Sequence, residues 1–196
     1  MTKIETQADI LYHFDTLVSQ VANPKLKQVC EELRKYADFW TWPASIGHHH
    51  DFEGGLILHT LEVATIALHT SKIFEQGDDE VLIVAALWHD LAKIWEYKRN
   101  DRRDEMDFDD TTFIKTDYHG KVHHISGSNA EFTAIAMKYE VDRETIQRIQ
   151  HCIIAHHGQK DWGSPRRPES IEAILLHQAD MISAMYPKFT KGIPND

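Results

Sequence analysis

The chain has 196 residues, 42% of them hydrophobic and 27% charged, which suits one domain, or one with a modest appendage, able to bury a core. Its 21 basic and 31 acidic side chains give a net charge of −10, which argues against clamping long duplexes, a task that needs a basic face. It leaves room for a small anionic substrate, because bound divalent cations reverse the local field.

In chain order, Ile4 to Val21 carries apolar residues at close to a 3.6 period and predicts a first helix. Asn23-Pro24 supplies an N-cap and a first-turn proline for a second helix through about Trp40. A loop with Trp42-Pro43 and His48-His49-His50 follows, and Gly54-Gly55 leads into a third helix from Leu56 to about Phe74, with Gly77 as its expected C-cap. Asp78 and Asp79 are placed to cap a fourth helix from Glu80 to about Trp95. Residues 97–122 are rich in Asp and Arg and read as a loop insertion or small hairpin. Helices resume at about Ser128–Tyr139 and Asp142–His156; Gly158–Arg167 is a loop, and Pro168 opens a last helix to about Met185.

The expectation is a single all-α unit over 1–196, with a helical N-terminal extension (1–40) and a core at about 41–186. No apolar run approaches the roughly 20 residues needed to span a bilayer, and Met1–Glu5 lacks a signal-peptide h-region, so the cytoplasm is the expected compartment. Cys30 and Cys152 lie in apolar helical stretches and read as buried reduced thiols.

Fourteen histidines stand out, and their placement carries the chemistry. His89-Asp90 ends an apolar helix in Ala85-Ala86-Leu87-Trp88-His89-Asp90-Leu91-Ala92-Lys93, where both side chains are costly unless paired or bound. Taken alone, His89 reads better as a histidine capping the helix C-terminus. His59 lies mid-helix among aliphatics, His124 precedes a helix, His156-His157 end one, and Asp180 sits mid-helix in Leu175-Leu176-His177-Gln178-Ala179-Asp180. Each has an ordinary reading as a satisfied core or capping group. Polar groups in separate apolar helices need a common explanation, and a shared metal site supplies it.

This ordered set, His59, His89-Asp90, His124, His156 and Asp180, resembles the H…HD…H…H…D pattern of the HD superfamily, an all-α helical-bundle fold. Finer matches are similar to the catalytic domain of YhaM-type 3′-to-5′ exoribonucleases: Pro43-Ala44 before a His-His pair, Gly-Gly-Leu before His59-Thr60-Leu61, HDLAK at 89–93, AHHG at 155–158, and Gly163-Ser164-Pro165 before a Leu-His-x-Ala-Asp helix. The resemblance covers about residues 40–186. It implies that His59, His89, Asp90 and Asp180 hold one divalent ion and that Asp90 bridges to a second held by His124 and His156. His123 and His119 compete for the place of His124.

Imidazole with carboxylate suits Mn, Fe, Co, Ni or Zn, and Mg can join through substrate phosphates. Lys93 is a candidate catalytic residue at a phosphate or leaving group, beside Asp90. His157, Arg166 and Arg167 are candidate substrate contacts, and Trp42 is the best candidate to stack a base. Arg99, Arg102 and Arg103 read better as a solvated run, while His49 or His50 is a candidate lining residue.

The expected activity is hydrolysis of a nucleotide phosphoester, with a nucleotide or short oligonucleotide as partner and no duplex DNA. The alternatives are a 3′-to-5′ exonuclease on single strands, a non-catalytic nucleotide-binding module, and a di-iron oxygenase on the same ligand pattern. The relatives' additional OB-type domain has no counterpart in residues 1–40, which ranks the nucleotide ahead of the strand.

Overall fold

Helix caps dictate where most of the elements begin. In the computed structural model, which describes residues 6–100 and 112–190 and side chains of the last helix as far as Met185, Thr6 closes a capping box with Asp9 at the head of α1 (Gln7–Ser19). The Asn23 side chain accepts the Lys25 and Leu26 N–H groups at the head of α2 (Pro24–Glu32). Asp78 does the same for α4 (Asp79–Trp88), and Asp142 accepts Thr145 N–H for α8 (Arg143–Ala155). Between them run α3 (Gly55–Phe74), the short α5 (Lys93–Glu96) and α6 (Asp117–Lys121), α7 (His124–Lys138) and, last, α9 (Ile171–Thr190). The fold is all-α apart from a two-stranded ribbon.

Five boundaries depart from the sequence reading. The second helix stops at Glu32, because Tyr36 leaves helical geometry and short 3-10 turns at Leu33–Lys35 and Ala37–Trp40 carry the chain on. That bend buries Phe39 and lets the Trp40 indole donate to Leu33 O at 3.3 Å. The left-handed C-cap of α3 is Glu75, not Gly77. The fourth helix ends at Trp88 instead of Trp95, and α7 begins at His124, four residues before its expected start. Finally, the last helix starts after Ser170, whose hydroxyl accepts Ala173 N–H, rather than at Pro168.

The 97–122 insertion does contain a ribbon: β1 (Tyr97–Arg99) pairs antiparallel with β2 (Phe113–Lys115), with Lys98 opposite Ile114. Its centre, with Arg102 and Arg103, lies outside the described residues, as do residues 1–5 and 191–196.

The core sits around α4, buried at every position from Val81 to Trp88. Helix α3 packs along α9 and α4, while α8 joins α4, α7 and α9. Continuous burial of α4 requires apolar side chains all round, which the run Val81 to Trp88 supplies. Cys30 and Cys152 are free thiols, fully buried, and burial pushes Cys152 up to about 12. Among the described residues no helix is long and apolar enough to cross a membrane.

One glycine sets the position of the histidine-rich loop. A Cβ on Gly55 would lie 2.0 Å from the carbonyl oxygen of His50, which sits at φ 50 in the left-handed region. Gly55→Ala is therefore expected to lower stability by about 2–3 kcal/mol, in the range of overpacked sites, by forcing the loop off α3. Urea unfolding checks this; an unchanged midpoint contradicts it.

Candidate metal centre

A helix leaves its last carbonyls without partners, and two histidines take advantage of this. His89, at the end of α4, donates Nδ1–H to Ala86 O at 2.7 Å; His156, at the end of α8, donates to Ile153 O at the same distance. Both rings thereby turn Nε2 into the interior. The α-type hydrogen bonding stops after Trp88, although His89 keeps right-handed helical angles (φ −56, ψ −37), and the chain tightens through Leu91 N–H to Trp88 O and Lys93 N–H to Asp90 O. An unbroken helix would splay His89 and Asp90 about 100° apart; the break instead brings His89 Nε2 to 3.3 Å from Asp90 Oδ2.

Asp90 is buried at the middle of the cluster, and its two oxygens face different partners. Oδ2 lies 3.5 Å from His59 Nε2 on α3 and 2.6 Å from Lys93 Nζ on α5. Oδ1 lies 3.4 Å from His124 Nε2 and 3.6 Å from His156 Nε2. Asp180, on α9, places Oδ1 3.1 Å from His59 Nε2. All six residues expected at a metal site thus meet in one buried cluster, with Lys93 beside them.

The donor set fits divalent cations. Buried polar atoms normally have partners, yet His59 Nε2, His89 Nε2, His156 Nε2 and Asp90 Oδ1 have no hydrogen bond. The imidazole-to-carboxylate separations at Asp90 and Asp180, 3.1–3.6 Å, are those of atoms sharing one ion at about 2.0–2.2 Å each. Among the described residues, four groups bring candidate ligand atoms within 4.8 Å of one another: His59, His89 and Asp90; His124, His156 and His157; His49, His50 and His59; and Glu96, His123 and His124.

The supporting hydrogen bonds escaped sequence reasoning. Glu96, buried at the end of α5, accepts His124 N–H at 2.7 Å and lies 3.2 Å from His124 Nδ1 and 3.1 Å from His119 Nδ1. Of the three histidines competing around residue 124, His124 reaches Asp90, whereas His119 ends on Glu96 and His123 caps α7 through Ile125 N–H. His59 Nδ1 lies 2.9 Å from the Ser183 hydroxyl, which donates to Glu62 Oε2 at 2.7 Å. Glu62 and Ser183 each stand three residues after a candidate ligand, the one faint signal available; Glu96 gave none, because the helix break hides its spacing from His89.

The remaining candidates divide. His157 joins the cluster, its Nε2 3.4 Å from that of His124 and its Nδ1–H donating to Trp162 O at 2.6 Å. Gly158, at φ +86, leaves no room for a Cβ, which would lie 2.4 Å from the His177 ring. Arg166 and Arg167 are exposed and line a cavity of about 460 Å³ with Lys160 on the loop after His157. Trp42 is not brought to the cluster: its indole N–H donates to Tyr97 O, its ring meets Phe113 edge-on, and Arg99 stacks over it. Among the lining candidates, His49 and His50 approach His59, with ring centroids at 4.9 and 5.4 Å.

Burial pulls the His124 imidazole down to about 4 against the pull of Glu96, and burial beside other imidazoles pulls His157 and His49 to about 2. Burial opposes the charged forms of Asp90 and Asp180, but the Lys93 ammonium and neighbouring imidazoles outweigh it at Asp90, and His59, His156 and His89 outweigh it at Asp180, so both carboxyls lie far below the usual range. His59 moves the other way: burial lowers it, and Asp180 and Asp90 more than reverse that.

These shifts fix a sign for the metal-free protein. Between the ordinary value of 6.5 and about 4 the unfolded chain takes up protons that folded His124, His157 and His49 refuse, so stability falls as the pH drops through that window. His59 offsets part of this, its contribution being complete at low pH and fading as pH rises through its raised value. His123, which burial also lowers, adds to the same side, so with four histidines against one the urea midpoint of metal-stripped protein is expected to be lower at pH 5 than at pH 7. A flat or rising midpoint contradicts this.

Comparison with known proteins agrees with the geometry. The family model described as HD domain matches residues 56–185, and the TraI_2 family model, which carries a helicase description, matches residues 3–80. The chain is similar to the 3′-5′ exoribonuclease YhaM of Listeria welshimeri, 30% identical over 172 residues, covering 85% of this chain and 51% of that protein. The YhaM of Shouchella clausii is 30% identical over 179 residues (90% and 53%), and that of Bacillus subtilis 28% over 172 (85% and 51%). The chain thus spans about half the length of the curated relatives it matches. No solved structure matches it.

Proposed function

Because the chain belongs to the HD domain family, we propose that it is a divalent-metal-dependent phosphohydrolase that cleaves phosphodiester bonds from the 3′ end of single-stranded RNA. The observation that carries the hydrolytic reading is Asp90, buried with one oxygen turned to His59 and His89 and the other to His124 and His156. The sequence alone ranked mononucleotides first, on charge and on the unmatched OB-type domain. Similarity over most of the chain to three proteins named as exoribonucleases moves the strand ahead. Residues 1–196 act as one unit in this reading, with the helices before residue 41 packed as an extension of the HD core.

In this reading His59, His89, Asp90 and Asp180 hold one cation, and Asp90, His124 and His156 a second. Mn, Fe, Co, Ni or Zn suits such ligands, and Mg can enter with the substrate. Bound there, divalent cations would supply Lewis acidity toward a water and the phosphoryl oxygens. Glu96 holds the His124 ring so that Nε2 faces inward. Lys93 keeps a buried positive charge beside Asp90 for the phosphoryl or leaving oxygen. Arg166 and Arg167, in the cavity that follows His157, take a neighbouring backbone phosphate.

The test is metal-stripped protein reloaded with Mn²⁺ or Co²⁺ and offered 5′-labelled single-stranded RNA beside a panel of mononucleotides. Progressive shortening from the 3′ end, weakening with salt, is expected. Turnover of mononucleotides alone restores the nucleotide reading, and two bound ions without any hydrolysis favour a binding module. Oxygen-dependent turnover with bound iron identifies an oxygenase instead.

A further inference from the structure

Glu62 lies one helical turn beyond His59 on α3, half-buried, and two donors converge on a single one of its oxygens. Ser183 Oγ donates to Oε2 at 2.7 Å, and His50 Nε2 lies 3.1 Å from the same atom. The ionised carboxylate only accepts, so the directions of both chains of hydrogen bonds follow from it.

On one side, the Ser183 hydroxyl has a single proton and gives it to Glu62. It must then accept from His59, whose Nδ1 is 2.9 Å away, and this leaves His59 Nε2 bare toward Asp90 and Asp180. On the other side, His50 gives its Nε2–H to Glu62, so its Nδ1 is an acceptor. His49 Nδ1, 3.3 Å from His50 Nδ1, donates to it. His49 Nε2 is then bare too, and has no hydrogen-bond partner among the described residues.

The backbone holds this second arm in place. His50 sits at φ 50, its carbonyl accepts Ala44 N–H at 3.2 Å, and the absent side chain of Gly55 makes room for it. The His49 ring lies 4.9 Å from that of His59, and nitrogens of His49, His50 and His59 fall within 4.8 Å of one another. A strained loop, a buried histidine and a shared carboxylate thus combine to present one more unprotonated imidazole nitrogen at the edge of the cluster.

We propose that Glu62 is a shared positioning residue that orients His59 through Ser183 and His49 through His50, and that His49 is an additional imidazole ligand for the cation held at His59. The proposal rests on the metal reading of the site. It adds a donor, and the relay behind it, that the H…HD…H…H…D pattern does not contain.

The experiment is Co²⁺ titration of metal-stripped wild type, Glu62→Leu, Ser183→Ala and His49→Ala, followed by visible absorption and calorimetry, with circular dichroism to check the fold. Removing a group that orients a ligand weakens metal binding about 10–100-fold, the loss expected for Glu62→Leu and Ser183→Ala. His49→Ala should keep the fold and alter the Co²⁺ absorption band. Wild-type affinity in Glu62→Leu, or an unaltered band in His49→Ala, overturns the proposal. Should Glu62→Leu fail to fold, Glu62→Gln replaces it: a neutral amide oxygen holds two donors less firmly, so affinity again falls, and unchanged affinity is the overturning result. If wild type itself binds no Co²⁺, the metal reading fails; if wild type binds it and the variants match, only the relay fails.

Discussion

Asp90→Ala is expected to abolish activity, lowering turnover by at least about 10³-fold, and to strip metal from both halves of the centre. The reason is the division of labour between its oxygens: Oδ2 faces His59 and His89, Oδ1 faces His124 and His156, and no other described carboxylate contacts both sets. Truncation also leaves Lys93 buried without its partner at 2.6 Å, a loss that costs about 3–5 kcal/mol of stability in comparable pairs. Asp90→Asn separates the two effects, since it keeps the volume and one acceptor oxygen. Metal analysis by mass spectrometry and an RNA-shortening assay on both variants check the prediction. Two ions bound to Asp90→Asn with wild-type turnover would show that the carboxylate does not join the sites.

Lys93→Met is expected to lower turnover about 10²–10³-fold while the protein still binds its cations, the size of effect seen when one preorganised charge is removed from a transition state. Lys93 is buried, burial works against its charge, and Asp90 more than reverses that, so the ammonium persists in a site poor in water. Methionine retains the apolar stem and fills similar space without the charge. A drop in turnover with metal content intact identifies a charge acting on substrate. Loss of metal together with turnover instead identifies Lys93 as a prop for Asp90, and single-turnover kinetics alongside metal analysis distinguishes the two.

The helices were legible where a side-chain oxygen caps a first turn, as at Asn23, Asp78 and Asp142, because that signal is local. They were misread where tertiary demands override it. Trp40 bends away to meet Leu33 O, and the chain breaks after Trp88 so that two adjacent side chains reach one point. His123, at φ 70, starts α7 early by capping it with its own ring, which no propensity anticipates.

The six candidate ligands were legible because polar groups inside apolar stretches demand a reason. Their supports were not. Glu62, Ser183 and Glu96 sit where polar residues are unremarked, and their meaning depends on a partner from another segment. The insertion reads as low in aliphatics in either view, and only Tyr97 and Phe113, buried on facing strands, mark the ribbon's inner edge.

The partners His59 and Asp180 lie on α3 and α9, more than half the chain apart in sequence. A nascent polypeptide leaving the ribosome would present its imidazoles long before the closing aspartate emerges. On the metal reading proposed above, an ion captured before then would meet an incomplete ligand set, and the centre would be completed only once α9 has been translated.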